Sequence, residues 1–325
     1  ILLFIRKGKL MKNNHNLLMK MKNLEKFSGA IKRCVAIAMA SMLFATTGFS
    51  LDTHPVKAQE VSSSADKIEV PETSKDAFKK YEKISGIGAN TILGADFTYY
   101  QQCLEWGKSY KNYMSQSVDN IFDYVKSQGI NTISLKVAVN PTGENAYLSL
   151  ENAIKTLKAV KASNTNLKTN LVLLYSDEMT YAGTQNLPAD WEKAEKEEQS
   201  VTRVESAKTY TRETIAKLKQ ANVLPDIVTI GNEVNWNFLG ITDGEGWEGW
   251  EAMGNISALL KKAGVKNAVS IAAPSDASSV KYIVQKLGYA SVDYDYIGVN
   301  VYPDNNTNNY IKSLKKEVES CAPDK

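Results

Sequence analysis

The sequence predicts an α/β fold in which a parallel sheet is covered by helices. Short apolar runs of strand length alternate with longer segments at helical spacing from about Gly86 onward. The runs are apolar on both faces and each helical segment has one apolar stripe, the pattern of a sheet buried beneath helices. Six β-then-α units can be counted before Lys325. A six-stranded doubly wound sheet usually opens on a Gly-rich phosphate turn, and Gly94-Ala95-Asp96 is not one. The count therefore favours a (β/α)8 TIM barrel, incomplete in this chain, with about six βα units present.

The strands are expected at residues 92–97, 132–139, 171–175, 227–232, 268–273 and 296–302. Val118, Ile121, Phe122 and Val125 fall at i, i+3, i+4 and i+7 and predict the first helix. Leu150, Ile154, Leu157 and Val160 predict the second. Val204, Thr211, Ile215 and Leu218 mark a longer one, and Val280, Ile283, Val284 and Leu287 repeat the first spacing. A last helix, from about 308 to 320, carries Ile311, Leu314 and Val318. The mixed run of Glu192, Lys193, Glu195, Lys196, Glu197 and Glu198 reads as a solvated helix face.

The first 58 residues read differently. A basic stretch from Lys20 to Arg33 precedes the apolar core at 35–45, and Val56-Lys57-Ala58 offers a small-x-small cleavage site. That order predicts a secretory signal peptide whose core is too short to leave a membrane span, and hence a secreted protein. Residues 59–85 are polar and read as a linker, with a short helix around 77–81, leaving 86–325 as the barrel domain. Of the 39 Lys+Arg and 36 Asp+Glu, 10 and 2 lie in 1–58, so the remainder carries 29 against 34 and a formal charge of −5. The net charge of +3 for the whole chain belongs to its leader, which argues against nucleic acid as a partner. Both histidines, His15 and His54, also lie there. Ser-His-Asp and Cys-His nucleophiles and His-bearing zinc sites are thereby excluded, and acid–base work falls to Asp, Glu, Lys or Tyr. Cys103 and Cys321 remain beyond the leader; an exported compartment permits a disulfide between them, and free thiols are the equal alternative.

The most informative segment is Asp226-Ile227-Val228-Thr229-Ile230-Gly231-Asn232-Glu233. It reads as a buried strand whose carboxyl end delivers an amide and a carboxylate, the end at which barrel enzymes hold their catalytic groups. An Asn-Glu pair there suits glycoside hydrolysis, with Glu233 as general acid/base. Asp96, Asn140, Asp177, Glu178, Asn235 and Tyr302 also lie at strand ends. For each alone, a turn or helix-cap role competes with a binding role. Trp236, Trp247 and Trp250 fall in a segment with Gly240, Gly244, Gly246 and Gly249, and read as rings on a Gly-rich loop. Such rings suit stacking on a sugar, Trp236 most of all, and equally suit a loop core. Lys136, inside the second strand, is expected to meet a carboxylate near the site.

These residues resemble glycoside hydrolase family 53, the arabinogalactan endo-β-1,4-galactanases. The resemblance runs from about Gly86 to Lys325 and rests on four segments: Gly94-Ala95-Asp96; Tyr175-Ser176-Asp177 with Gly183 and Trp191; Pro225 through Glu233; and Asp295-Tyr296-Ile297-Gly298 to Tyr302-Pro303. It implies a retaining hydrolase that cleaves β-1,4-galactan of pectin side chains. Glu233 would be the acid/base, and Asn232 would bind the 2-hydroxyl beside the cleaved bond. Taken with the reading of the residues themselves, Asp96, Lys136, Asp177, Trp191, Asn235, Trp236 and Tyr302 are the expected substrate contacts. It implies no cofactor, apart from a structural calcium that some members hold in late loops. Lys136 stands where the family has Arg, Ala138 where it has Trp, and Leu174 and roughly Ala273 where it has His. The family's nucleophilic Glu ends a seventh strand that would begin just after Lys325, so the 325-residue chain is expected to be an inactive fragment. A non-catalytic carbohydrate-binding barrel and a same-clan glycosidase acting on mannan or glucan are the alternatives.

Overall fold

The computed structural model describes residues 91–112, 114–197, 202–272, 278–301 and 307–321. The expected leader at 1–58, the linker at 59–85, Ala273 and Tyr302 lie outside them.

Six parallel strands curl into a partial barrel: β1 (Gly94–Asp96), β2 (Thr132–Val137), β3 (Lys168–Leu173), β4 (Ile227–Ile230), β7 (Lys266–Ala272) and β8 (Tyr296–Asn300). A two-stranded antiparallel hairpin, β5 (Asn237–Phe238) and β6 (Ile241–Thr242), follows β4. The sheet order is β1-β2-β3-β4-β7-β8, so each strand lies beside its predecessor in the barrel. The register runs Leu135↔Leu171, Leu171↔Val228 and Val269↔Ile297, which brings all six carboxyl ends to one rim. Among the described residues β1 and β8 are the two edges of the sheet.

Helices α1 (Tyr100–Glu105), α2 (Ile121–Ser127), α3 (Leu150–Ala162), α4 (Ala189–Glu197), α5 (Arg203–Gln220), α6 (Glu248–Lys262), α7 (Ser278–Tyr289) and α8 (Thr307–Cys321) make the outer layer. Their starts are capped where the sequence supplies an oxygen. Asn120 Oδ1 accepts from the amide of Phe122 at 3.0 Å, Ser149 Oγ from Asn152 at 3.3 Å and Thr202 Oγ1 from Glu205 at 3.2 Å. The Asn120 cap explains why Val118 precedes α2 rather than joining it. The expected apolar stripes are buried: Leu150, Leu157 and Val160 on α3, Ile215 and Leu218 on α5, Val280, Ile283 and Leu287 on α7.

Two local expectations are corrected. Strand β3 starts at Lys168, three residues earlier than the apolar run, because its polar start is paired. Thr169 N–H donates to Asp226 at 2.8 Å, and Asn170 bridges Ser134 Oγ (3.0 Å) and Thr229 Oγ1 (2.9 Å) across three strands. The segment around Trp247 and Trp250 is not a Gly-rich loop throughout. It becomes helix α6, which buries Trp250, Ala252, Met253, Ile256 and Leu260 on one face. Trp250 is 4% exposed, so it is a core residue and not a sugar platform.

Candidate active site

Glu233 lies just beyond β4, on the rim where the six carboxyl ends meet. The chain turns there through two left-handed residues, Gly231 (φ 69°) and Glu233 (φ 58°). A Cβ on Gly231 would stand 2.2 Å from Val234 Cγ1, so the turn has room only for glycine. A glutamate at positive φ costs about 1–2 kcal/mol, and such strain is held by surrounding structure, often at working sites. Tyr175, after β3, has the same left-handed turn (φ 54°), with its ring buried and its hydroxyl 2.9 Å from Thr211 Oγ1.

Glu233 is 5% exposed and its carboxylate is held from two directions. Oε2 accepts the Ala182 amide at 3.0 Å, and Oε1 accepts Asn300 Nδ2 at 2.8 Å. Asn300 ends β8, and the same amide reaches Asn232 Oδ1 at 3.4 Å. Asn232 Nδ2 donates to the Thr180 carbonyl at 2.7 Å. Gln185 Nε2 donates to the Asn232 carbonyl at 2.8 Å, and Thr180 Oγ1 to the same oxygen at 3.2 Å. The loop after β3 is thus tied to the Asn232-Glu233 turn by a polar network in which Thr180, Gln185, Asn232 and Glu233 are buried. Asn300, Thr180, Ala182 and Gln185 were not identified from the sequence. Only Asn300 carried a signal, as a polar residue at the carboxyl end of a strand.

Asp96, ending β1, forms an ion pair with Lys136 of β2, the carboxylate that Lys136 was expected to meet. Thr98 adds two bonds to Asp96 Oδ1, from its amide at 2.8 Å and its hydroxyl at 2.5 Å. Burial alone would raise the Asp96 pKa, but the Lys136 charge and these bonds outweigh it and hold the carboxyl below its usual value. The half-exposed Tyr99 stands close to Asp96 and Tyr181. Burial raises its hydroxyl pKa, and these two neighbours raise it further.

This predicts a pH-dependent cost for Lys136→Met. Because the folded pKa of Asp96 is lowered, the pair contributes fully above the unfolded value near 3.9 and fades as pH falls through the folded one. Urea midpoints should show the variant less stable by about 1–2 kcal/mol at pH 7. The gap should narrow below about pH 4; a gap that is constant with pH would rule out the ion pair as its source.

The other expected binding residues are distributed differently. Asp177 Oδ1 accepts the Asn140 amide at 2.9 Å and Oδ2 the Ala189 amide at 3.0 Å, so it ties the end of β2 to the start of α4. Asn235 exchanges two hydrogen bonds with the Ala272 backbone, at 2.7 and 2.8 Å, fastening the β4 loop to the end of β7. Trp191, on α4, packs edge-on to Tyr210 and lines a cleft of about 800 Å3 with Asn140, Glu151 and Glu205. That cleft separates the outer faces of α3 and α5 and does not include Glu233. Trp236 is 40% exposed beside Tyr282. Glu178 accepts from Asn186 Nδ2 at 2.6 Å in an exposed loop. Ala138 and Leu174, the positions where the resemblance implied Trp and His, are both buried and pack with Leu148 and Val172 in a small apolar cluster.

Cys103 is a free thiol beside Tyr110, whose hydroxyl pKa is pushed up to about 12 by burial first and by Cys103 second. The side chain of Cys321 lies outside the description. Among the described residues there is no group of three or more His, Cys, Asp or Glu able to hold a metal ion. No described helix is long and apolar enough to cross a membrane.

Comparison with known proteins gives a consistent result. The model of glycosyl hydrolase family 53 matches residues 92–323. An arabinogalactan endo-β-1,4-galactanase of Cellvibrio japonicus is 28% identical over 233 residues, covering 67% of this chain and 59% of that protein. One from Thermothelomyces thermophilus is 28% identical over 252 residues, covering 72% and 70%. The chain thus spans 59% of the length of the Cellvibrio relative. Among solved structures, a fungal β-1,4-galactanase superposes with a TM-score of 0.62 at 23% identity, over 72% of this chain and 70% of that one. The Ignisphaera aggregans GH53 catalytic domain gives 0.61 at 21%, over 74% and 66%. These two likenesses establish the barrel fold.

Proposed function

Because this chain belongs to glycosyl hydrolase family 53, we propose that the protein is a secreted retaining glycosidase that cleaves β-1,4-galactan. The observation that carries this reading is the carboxylate of Glu233, held at the strand-end rim by Asn300 and the Ala182 amide. In the proposed reaction Glu233 protonates the departing glycosidic oxygen while a second carboxylate attacks the anomeric carbon. Water then opens the glycosyl-enzyme, with Glu233 taking its proton. A retaining pair needs its carboxyl groups about 5–5.5 Å apart. The resemblance puts the nucleophile at the end of a seventh barrel strand, while Glu233 after β4 is the proton-transfer group. Asn232 Nδ2 carries two N–H groups, one of them on the Thr180 carbonyl, and the other suits a sugar 2-hydroxyl.

A second reading, a barrel that binds glycan without cutting it, is favoured by the apolar cluster of Ala138, Leu148, Val172 and Leu174. Two of these, Ala138 and Leu174, stand where the resemblance implied Trp and His at or beside the substrate. Reducing-end release by the full-length protein from galactan, mannan and β-glucan, run beside affinity electrophoresis in the same polysaccharides, separates the readings. Release from galactan alone supports the hydrolase. Retardation without release supports the binder, and release from mannan or glucan instead moves the substrate class.

In the full-length protein, Asn300→Ala is expected to lower kcat on galactan about ten- to hundredfold, the worth of one hydrogen bond to a charged group. KM should change less than about threefold if Asn300 acts by positioning Glu233 rather than by binding sugar. A large rise in KM at constant kcat would reassign Asn300 to substrate binding.

A further inference from the structure

Outside the Glu233 network one carboxylate gathers Trp250, Tyr282 and Lys286, and Tyr282 and Lys286 in turn meet the rings of Trp236 and Trp247. Asp243 Oδ1 accepts from Trp250 Nε1 at 2.8 Å and lies 3.3 Å from Lys286 Nζ, while Oδ2 accepts the Tyr282 hydroxyl at 2.7 Å. The Lys286 ammonium sits 5.1 Å from the Tyr282 ring centre and 5.3 Å from that of Trp247. Tyr282 in turn packs against Trp236 at 5.6 Å between centroids. The Asp243 amide donates to the Trp236 carbonyl at 2.7 Å, closing the hairpin that carries both. Despite this ordering the rings remain open to solvent: Trp236 is 40% exposed, Trp247 41% and Tyr282 39%.

All three lie in segments that follow the carboxyl ends of β4 and β7. Trp236 is three residues beyond Glu233, Trp247 directly precedes α6, and Tyr282 is in the second turn of the helix that follows β7. Three rings of this exposure offer on the order of 300 Å2. That is far below the roughly 800 Å2 per partner of an ordinary protein interface, and in the range of functional surface patches. We propose that Trp236, Trp247 and Tyr282 form a stacking platform for a β-linked sugar chain, at a distance from the bond that is cut. Flat rings take the C–H faces of pyranose rings, while the Lys286–Asp243 pair presents polar edges to hydroxyls. Because Tyr282 is hydrogen-bonded and Trp236 and Trp247 already pack against Tyr282 and Lys286, less side-chain entropy is lost when sugar arrives. The inference rests on the reading of the Glu233 rim as a carbohydrate site.

The platform predicts a dependence on ligand length. In a Glu233→Gln background, to prevent turnover, β-1,4-linked galactose oligomers of two and six units would be titrated by calorimetry, with six-unit β-1,4-linked mannose and glucose oligomers alongside. Adding Trp236→Ala or Trp247→Ala should weaken six-unit binding about three- to tenfold, as loss of one aromatic contact implies. Two-unit binding should change less than about twofold. Equal loss at both lengths, or no loss at six units, overturns the platform while galactan binding itself stands. Binding of mannose or glucose oligomers alone, weakened by the same substitutions, keeps the platform and removes galactan as its ligand. If no β-linked oligomer binds, both readings fall. Should Trp236→Ala not fold, Trp236→Phe keeps a smaller ring and should give an intermediate loss, with an unchanged affinity again counting against the platform.

Discussion

Replacing Glu233 by Gln in the full-length protein is expected to reduce galactan hydrolysis by about 10²–10⁴-fold, the usual contribution of a positioned general acid/base. The substitution is nearly isosteric, so the rim should keep its shape. Gln offers one accepting oxygen where Glu offers two, and either Asn300 Nδ2 or the Ala182 amide loses its partner. The associated loss of stability is about 1–3 kcal/mol, which calorimetry would register separately from activity. The loss of rate should shrink on an aryl galactoside whose leaving group departs without a proton. A variant that retains full hydrolysis of galactan would remove Glu233 from the mechanism.

Gly231→Ala is expected to be the most damaging single-methyl change near the site. Its φ of 69° puts an alanine in the left-handed region, at about 1–2 kcal/mol. The new Cβ would also meet Val234 Cγ1 at 2.2 Å and the Phe238 ring at 3.2 Å. Val234 is 1% and Phe238 2% exposed, so neither can swing into solvent. Overpacking of this kind adds about 1–3 kcal/mol. A total of about 2–5 kcal/mol should appear as a lower denaturant midpoint, together with reduced activity, because the same turn aims Asn232 and Glu233. A change below about 0.5 kcal/mol would mean that the turn relaxes freely and does not hold the carboxylate.

Glu233 could be found from the sequence because three local signals coincide: the apolar Ile227, Val228 and Ile230 of β4, a glycine that permits the turn, and a carboxylate two residues after it. The helices α3, α5 and α7 were equally visible, since an apolar stripe at a period of 3.6 survives any tertiary context. Helix α6 was not. Gly246, Gly249 and Gly254 argue locally for a loop, and it is burial of Trp250, Met253, Ile256 and Leu260 that makes the segment helical. The polar start of β3 was hidden for a related reason, as Thr169 and Asn170 are satisfied by partners 36 to 59 residues away.

Local pattern, then, is sufficient for the parallel α/β class, the approximate elements, the resemblance to a glycosidase family and the candidate acid/base. It could not supply what surrounds that acid. Asn300, Thr180, Ala182 and Gln185 lie 47 to 67 residues from their partners in the Asn232-Glu233 turn. Apart from the place of Asn300 at a strand end, nothing in their own neighbourhoods marks them, because the hydrogen bonds that give them a role exist only once β3, β4 and β8 are in register. The same holds for Asp243, which reads as an ordinary turn residue until folding gathers Trp250, Tyr282 and Lys286 around it. Backbone propensity and periodicity are short-range and are written along the chain; the orientation of a catalytic or binding group is a long-range property, set by whichever side chains the sheet brings to its rim.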